Sequence, residues 1–285
     1  MSGLSGFLLR GVGVAPWFGL LLLASACIPQ VPGASGGQAA SGSTSGAGTL
    51  DRIIQSKQIR VGVVNDNPPY SSVDNSGNLV GYDIDIINAL AKDLGATPNL
   101  IRVDAPGRIS GLQAGQLDMT VANFSITPAR ALVIDFSQPY LVTHFRLVVA
   151  ADSPLRSLQD ANKSSVSVAT PRGATSTDQL QAVLPQAQLQ VLSSIADVKQ
   201  ALSSGQATAA VFDDTAAPAF LDSQPGKYKL LDGAFPGGDR IGIGLPKGDA
   251  EWARWIDLWI AQFNFSGQNA AEFQKWFNGP LPSLN

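Results

Sequence analysis

Residues 59–64 read IRVGVV, a short and mostly apolar run with the composition of a buried strand. The segment YDIDIINALAKDL at 82–94 follows, and its apolar residues recur at spacings of three and four, which predicts an amphipathic helix. The run LIRV at 100–103 predicts a second strand. Because strands and helices alternate in βαβ units, this part of the chain predicts a mainly parallel sheet covered by helices.

The alternation continues along the chain. Further strands are predicted at 117–122, 165–169, 189–192, 208–212 and 240–245, and further helices at 106–113, 176–183, 194–203 and, as a pair, within 250–277. The two halves share this order of elements without detectable sequence similarity. We therefore expect an α/β fold in which the architecture repeats but the sequence does not.

Composition excludes several classes of protein. The chain has 285 residues, 45% hydrophobic and 14% charged, which is enough apolar material for one large or two small folded domains. Its 19 basic and 22 acidic residues give a formal net charge of −3 without any basic block, so no nucleic-acid partner is expected. Cys27 is the only cysteine and His144 the only histidine. An intrachain disulfide is excluded, a Cys/His metal site or a histidine-based catalytic pair would depend on a single residue of each kind, and no metal or cofactor is expected.

The N-terminal residues 1–26 predict an export signal peptide. They carry a single charge, Arg10, followed by a short apolar run that is interrupted by Pro16 and ends in small residues. The run is too short and too broken for a comfortable bilayer span of about 20 residues. The sequence Leu-Ala-Ser-Ala-Cys at 23–27 resembles the bacterial lipobox, although the leucine stands one residue early. This resemblance predicts lipid attachment at Cys27; the alternative is an ordinary signal peptide cut near Ala26.

Residues 27–49 predict a flexible linker behind this anchor. Of the 16 residues at 33–48, 14 are Gly, Ala or Ser, a composition that cannot bury a core. The sequence thus predicts a folded body tethered loosely to a membrane.

Four segments together carry a family resemblance. They are Val61-Gly62-Val63 with Pro68-Pro69-Tyr70; Gly81-Tyr82-Asp83-Ile84-Asp85-Ile86; Ile126-Thr127-Pro128-Ala129-Arg130 with 134–140; and Phe273-Gln274-Lys275-Trp276-Phe277. Taken in this order, they resemble the bacterial extracellular solute-binding proteins of family 3, the polar amino-acid type that supplies ABC importers. The likeness spans about residues 50–277.

The resemblance implies a two-lobed type II periplasmic binding protein fold. Lobe 1 would comprise residues 50–142 and 240–285, and lobe 2 residues 143–239, with two crossover strands between them. The ligand would lie between the lobes and close them about a hinge. The protein would be a monomer, exported to the periplasm or the outer face of the cell membrane. Its partners would be a free amino acid and ABC permease subunits.

For the ligand carboxylate, the resemblance implies Arg130 together with the hydroxyl of Ser125. A guanidinium can hold a carboxylate through two parallel hydrogen bonds. Asn123 would be a further polar residue of the cleft. Gly173 and Thr175, where a strand gives way to a helix, would add unpaired backbone N–H groups from lobe 2. The alternatives are a solvated arginine at a helix start and an ordinary helix cap.

For the ligand ammonium, the resemblance implies Asp214, with Asp213 pointing outward; either aspartate could instead cap the next helix. Asn67 and Ala105 stand where relatives that bind basic or aromatic ligands place stacking rings, so an aromatic slot is not expected. Arg108 resembles the arginine that dicarboxylate-binding relatives direct at a second carboxylate, and its alternative is an exposed first-turn arginine.

The candidate ligand-binding set is therefore as follows: Asn67, Tyr70, Arg108, Asn123, Ser125, Arg130, Gly173, Thr175 and Asp214. We expect transport of an acidic or small polar amino acid rather than catalysis. Two alternatives stay open, namely a periplasmic dehydratase of the same fold and a ligand-sensing module for a membrane receptor.

Overall fold

The computed structural model describes residues 48–284. The predicted signal peptide, Cys27 and nearly all of the predicted linker lie outside these residues. The helices are α1 (Thr49–Ser56), α2 (Tyr82–Asp93), α3 (Gly107–Gln113), α4 (Pro128–Ala131), α5 (Leu158–Ala161), α6 (Thr175–Val183), α7 (Ile195–Ser203), α8 (Ala217–Ser223), α9 (Ala250–Phe265) and α10 (Gln268–Phe277). The strands are β1 (Gln58–Val63), β2 (Asp66–Asn67), β3 (Ser71–Val73), β4 (Leu79–Val80), β5 (Thr97–Arg102), β6 (Met119–Thr120), β7 (Asp135–Phe136), β8 (Leu141–Thr143), β9 (Phe145–Ala150), β10 (Ser167–Pro171), β11 (Gln188–Leu192), β12 (Ala209–Asp213), β13 (Tyr228–Leu230), β14 (Asp239–Ile241) and β15 (Gly244–Leu245).

Two five-stranded sheets define two lobes. The first has the order β5-β1-β6-β15-β7, in which β1 is parallel to β5 and β6 while β15 is antiparallel to its neighbours. The second has the order β11-β10-β12-β9-β13, in which β10 is parallel to β11 and β12 while β9 is antiparallel to β12 and β13. The predicted parallel βαβ units therefore form one side of each sheet, from an edge strand to the middle strand, and antiparallel strands complete the other side.

A two-stranded ladder joins the lobes. Strands β8 and β14 pair antiparallel, with Leu141 opposite Ile241 and Thr143 opposite Asp239. Both strands lie where crossovers were expected, and the stretch expected as one strand at 240–245 is split at Ile243 between this ladder and β15 of the first sheet. The lobe limits of residues 142/143 and 239/240 stay a prediction.

The cores follow from the apolar patterns of these elements. Helices α2 and α9 pack against the first sheet, with Ile86, Leu90, Trp252 and Ile260 fully buried. The second sheet is buried on both faces, by one cluster around Leu147 and Val168 and another around Val148 and Ala210. No helix within residues 48–284 is long and apolar enough to cross a membrane.

Candidate functional site

A cavity of about 380 Å³ opens between the two sheets. Its walls are the segments that follow β1, β6, β10 and β12, together with the start of β14. The first four strands run into the cavity at their carboxyl ends, which is where open α/β sheets bind ligands. Of the predicted set, Asn67, Arg108, Asn123, Ser125 and Thr175 line the cavity.

Arg108 is a buried cation in the cavity wall. Its side chain is 7% exposed and stacks on the Phe124 ring, 4.6 Å from the centroid. Its Nη1 donates to the carbonyl oxygens of Ala122 and Asn123 at 3.2 and 3.4 Å. Burial, reinforced by the charge of Arg130, lowers the pKa of Arg108 to about 9. An anion bound beside Arg108 would oppose both influences and stabilise the charged form of its guanidinium.

Arg130 lies beside this wall and bridges the lobes. Its Nη1 donates to the carbonyl of Ser125 at 2.7 Å, and its Nη2 donates to the carbonyl of Gly173 in lobe 2 at 2.8 Å. The guanidinium lies over the Phe124 ring, 4.9 Å from its centroid. Burial lowers the pKa of Arg130, opposed by the charge of Asp239. Arg130 and Gly173 are not among the residues that line the cavity.

Neither arginine forms an ion pair with a carboxylate among residues 48–284; both are held by carbonyl oxygens. Carbonyl oxygens fix the guanidinium without neutralising its charge. This side of the cavity therefore carries positive charge that is offset in part by the nearby carboxylate of Asp239.

The structure places the two aspartates at the end of β12 in different surroundings. Asp213 lines the cavity and is 8% exposed. It accepts from Asn123 Nδ2 at 2.7 Å and from Thr143 Oγ1 at 3.3 Å. Asp214 instead accepts from the His144 backbone N–H at 3.1 Å and pairs with His144 Nδ1 at 3.3 Å. Asp213 is the last residue of β12 and lines the cavity, whereas Asp214 follows the strand and its carboxylate is held at the hinge by His144.

Asp213 titrates well above an ordinary carboxylate. Burial raises the pKa of Asp213 to about 7, helped by the negative charge of Asp239 and opposed by the bond from Asn123. A cation placed beside Asp213 would offset the desolvation of its charge. This side of the cavity therefore favours a positively charged group.

Asn123 stands beside Asp213 with an unused acceptor. Its backbone has φ of +44°, a left-handed conformation that asparagine tolerates better than most residues. The buried carboxylate of Asp83 holds this turn by accepting from the Asn123 backbone N–H at 2.8 Å. The side-chain Oδ1 of Asn123 is buried and has no partner among the described residues. An unsatisfied buried acceptor is costly, and a ligand N–H would satisfy it.

The start of helix α6, in lobe 2, also lies at the cavity. It begins at Thr175, and its N-cap residue, Ala174, provides no side-chain cap. Thr175 Oγ1 lies 3.0 Å from Ser125 Oγ of lobe 1. Gly173 adopts φ of +74°, and its carbonyl points back at the arginines of lobe 1. The loop thus brings the start of α6 and the Thr175 hydroxyl to the site.

Asn67 and Tyr70, which both follow β1 in the chain, differ in their position relative to the cavity. Asn67 lines the cavity, together with Ala105, so the wall has no ring at either of these places. Tyr70 does not line it. Its ring is fully buried against Phe277, and its hydroxyl bonds Thr215 of lobe 2. Tyr70 is therefore a contact between the lobes, and its place in the ligand-binding set stays a prediction.

Sequence reasoning missed three carboxylates. Asp239 lies in the cavity wall between Ser125 and Thr175. Asp66 of lobe 1 accepts from the backbone N–H groups of Ile195 and Ala196, at the start of α7 in lobe 2. Asp83 supports Asn123. Only Asp83 left a signal in the sequence, as the first aspartate of the Gly-Tyr-Asp segment, because the others act on residues that lie 64 to 130 positions away.

The chain matches the family described as bacterial extracellular solute-binding proteins, family 3, over residues 59–279. It is 28% identical to the ABC transporter glutamine-binding protein GlnH of Bacillus subtilis, covering 91% of this chain and 93% of that relative. It is 27% identical to the glutamate-binding protein GluB of Corynebacterium efficiens, covering 74% and 76%.

Among solved structures, the chain resembles the ancestral amino acid-binding protein AncCDT-1, a precursor of cyclohexadienyl dehydratase. The TM-score is 0.74 and the identity 32%, with 81% of this chain and 100% of that chain covered. The predicted fold class, a type II periplasmic binding protein fold with two α/β lobes, is confirmed by such neighbours. The predicted family resemblance is confirmed as well.

Proposed function

Because the chain belongs to the bacterial extracellular solute-binding proteins of family 3, we propose that it captures a free amino acid between its lobes and delivers it to an ABC importer permease. Relatives of this chain carry the names of amino-acid-binding proteins and ABC transporter components. Transport, rather than catalysis, is the function that these relatives support.

The observation that carries the proposal is the opposite chemistry of the two cavity walls. One wall has unpaired, buried Arg108 with Arg130 behind it. The other has the buried carboxylate of Asp213 and the unpartnered Oδ1 of Asn123. A zwitterion satisfies both walls at once, its carboxylate near the arginines and its ammonium near Asp213. Hydrogen bonds to charged groups contribute about 1.5–3 kcal/mol each, so a few of them support micromolar binding, about −8 kcal/mol.

An acidic or small polar side chain fits the rest of the cavity best. Arg108 supplies a second cationic group in addition to Arg130, which suits a second carboxylate. The positions at Asn67 and Ala105 supply no ring for stacking an aromatic or long basic side chain. A ligand with a neutral amide side chain is the next candidate, since Arg108 can donate to an amide oxygen as well.

Calorimetric titration with the twenty amino acids tests this function. We expect binding of L-glutamate or L-aspartate, then L-glutamine, and no binding of the N-acetylated or amidated forms, which lack one of the two charges. Equal affinity for the N-acetylated form would contradict the role of Asp213 and Asn123.

The dehydratase-like alternative has one observation in its favour, the raised pKa of Asp213, because a carboxyl group that titrates near pH 7 can act as a general acid. Incubating the protein with prephenate-like acids distinguishes a dehydratase-like enzyme from a transport protein. Product formation that disappears in Asp213→Asn would favour the enzyme, and binding of amino acids without turnover favours transport.

The membrane tether belongs to the same proposal. Cys27 would carry the lipid, so that residues 27–49 hold the folded body near the permease. In cells, Cys27→Ser should move the protein from the membrane fraction to the soluble exported fraction. Retention of the variant on the membrane would argue against lipid attachment at this cysteine.

A further inference from the structure

Asp239 is a buried carboxylate at the meeting point of the two lobes and the hinge. It is the first residue of β14, and its side chain is 5% exposed, whereas the next residue, Arg240, faces solvent. Ser125 Oγ of lobe 1 donates to Asp239 Oδ2 at 2.7 Å. Thr175 Oγ1 of lobe 2 donates to the same oxygen at 3.5 Å. One carboxylate oxygen therefore bridges the lobes through two hydroxyl groups.

The surroundings of Asp239 are those that suit the carboxylate of a ligand. Its partners, Ser125 and Thr175, belong to the set that was predicted for the ligand carboxylate, and Arg130 and then Arg108 are the cations that act on its charge. Burial is the main influence on the pKa of Asp239 and raises it, while these neighbours oppose the rise. Asp239 thus contacts the same hydroxyl groups, and is influenced by the same arginines, as the ligand carboxylate that the cavity is proposed to bind.

Asp239 and a ligand carboxylate cannot use these hydroxyl groups and charges at the same time. A hydroxyl has one proton to donate, so the Ser125 O–H serves either Asp239 or a ligand carboxylate. Two negative charges side by side in a buried site also repel strongly. Entry of a ligand carboxylate must therefore break or weaken the bonds of Asp239.

Resting on the proposed function, we propose that Asp239 is an internal occupant of the ligand-carboxylate subsite. Its bonds to Ser125 and Thr175 hold the lobes together without a ligand, and a ligand carboxylate has to displace them. Asp239 consequently lowers the affinity for carboxylate ligands, most of all for those with two carboxylates, and it raises the closed population of the ligand-free protein.

The first measurement is calorimetric affinity for L-glutamate and L-glutamine in Asp239→Asn, which keeps the shape of the side chain and removes its charge. We expect tighter binding by roughly tenfold for glutamate, with a smaller gain for glutamine. Asp239→Ser should also bind glutamate more tightly, with a smaller gain for glutamine. Agreement between the two variants excludes a folding defect specific to the asparagine amide as the cause. Asp222→Asn is the matched control, since it removes the same charge from an exposed position on α8, outside the cavity, and its affinities should stay unchanged.

Weaker or unchanged binding of glutamate in both Asp239 variants would overturn the proposal, because it would make Asp239 a support or a direct ligand contact rather than a competitor.

The second measurement needs no ligand and separates this proposal from the proposed function. Spin labels at cysteines introduced for Lys92 and Gln200, in a Cys27→Ser background, report the distance between the lobes. In the ligand-free protein, Asp239→Asn should shift the distance distribution toward longer values, and Asp222→Asn should not. An unshifted distribution would overturn the role of Asp239 in closing the lobes. If no amino acid binds the wild type while the shift is present, the proposed function fails and the contact of Asp239 stands.

Discussion

At the scale of single residues, Arg108 separates one class of ligand from another. Its guanidinium is fixed by backbone carbonyls and has no carboxylate partner among the described residues. Arg108→Ala should weaken glutamate binding by roughly a hundredfold and glutamine binding by about tenfold, since a charged partner is lost in one case and a neutral one in the other. Calorimetry measures both. Arg102→Ala, an exposed arginine on the rim of the same cavity, is the control and should change neither strongly.

The titration of Asp213 predicts how binding depends on pH. In the ligand-free protein the pKa of Asp213 is raised to about 7, with Asp239 and Asp214 as neighbouring negative charges and Asn123 and Thr143 as hydrogen-bond donors. An ammonium ligand favours the ionised form, so below pH 7 binding must release a proton. Affinity should fall as pH drops from 7 to 5, by up to about tenfold per pH unit, and stay level above 7. Titration in buffers of different ionisation enthalpy detects the proton, and affinity that does not vary between pH 5 and 7 would refute this assignment.

At the scale of elements, the entry to helix α2 depends on Gly81. This residue has φ of +140°, and a Cβ there would lie 2.2 Å from the Tyr70 carbonyl oxygen. Gly81→Ala should lower the free energy of unfolding by about 3 kcal/mol through strain and overpacking. Gly77→Ala is the matched control, because Gly77 also has positive φ, +85°, but open space around it. It should lose only about 1 kcal/mol. Urea unfolding of both variants gives the comparison, and equal losses would show that crowding at Tyr70 is unimportant.

Element ends also explain why the cavity lies where it does. Strands β1, β6, β10 and β12 all stop at its edge, and each is followed by a segment that supplies a lining residue. Helix α6 starts there as well. The chemistry of the site is thus concentrated in short connections that two rigid sheets hold in place.

At the scale of the whole molecule, Asp66 closes one lobe on the other. Its Oδ2 accepts from Ile195 and Ala196 N–H groups at 3.1 and 3.3 Å, so a carboxylate of lobe 1 caps the positive end of α7 in lobe 2. Asp66→Ala should favour the open form and weaken ligand binding by roughly tenfold. Small-angle scattering should show a larger radius of gyration for the ligand-free variant. Asp197→Ala, which removes a charge from the same helix end without an interlobe bond, should leave both unchanged.

The sequence by itself determined the order of strands and helices, because the spacing of apolar residues and the turn residues between them act over a few positions. It also placed Arg108, Ser125 and Thr175 at the cavity, since each lies just beyond a predicted strand or inside a family motif. It did not determine which aspartate, 213 or 214, points inward. Asp213 ends β12 and Asp214 follows it, and the difference between them comes from contacts with Asn123, Thr143 and His144, which lie 70 to 90 positions away in the chain.

Only the tertiary structure decided the contacts that join distant parts of the chain. Ser125 and Asp239 are 114 positions apart, and Asp66 and Ile195 are 129 apart. No local pattern encodes such a pair, because each residue is ordinary in its own segment. Each pair forms only where the hinge ladder of β8 and β14 brings the two lobes together, and the same approach of the lobes encloses the cavity. Fold and family could therefore be predicted from the sequence, whereas the balance of charge in the site depended on how the lobes meet.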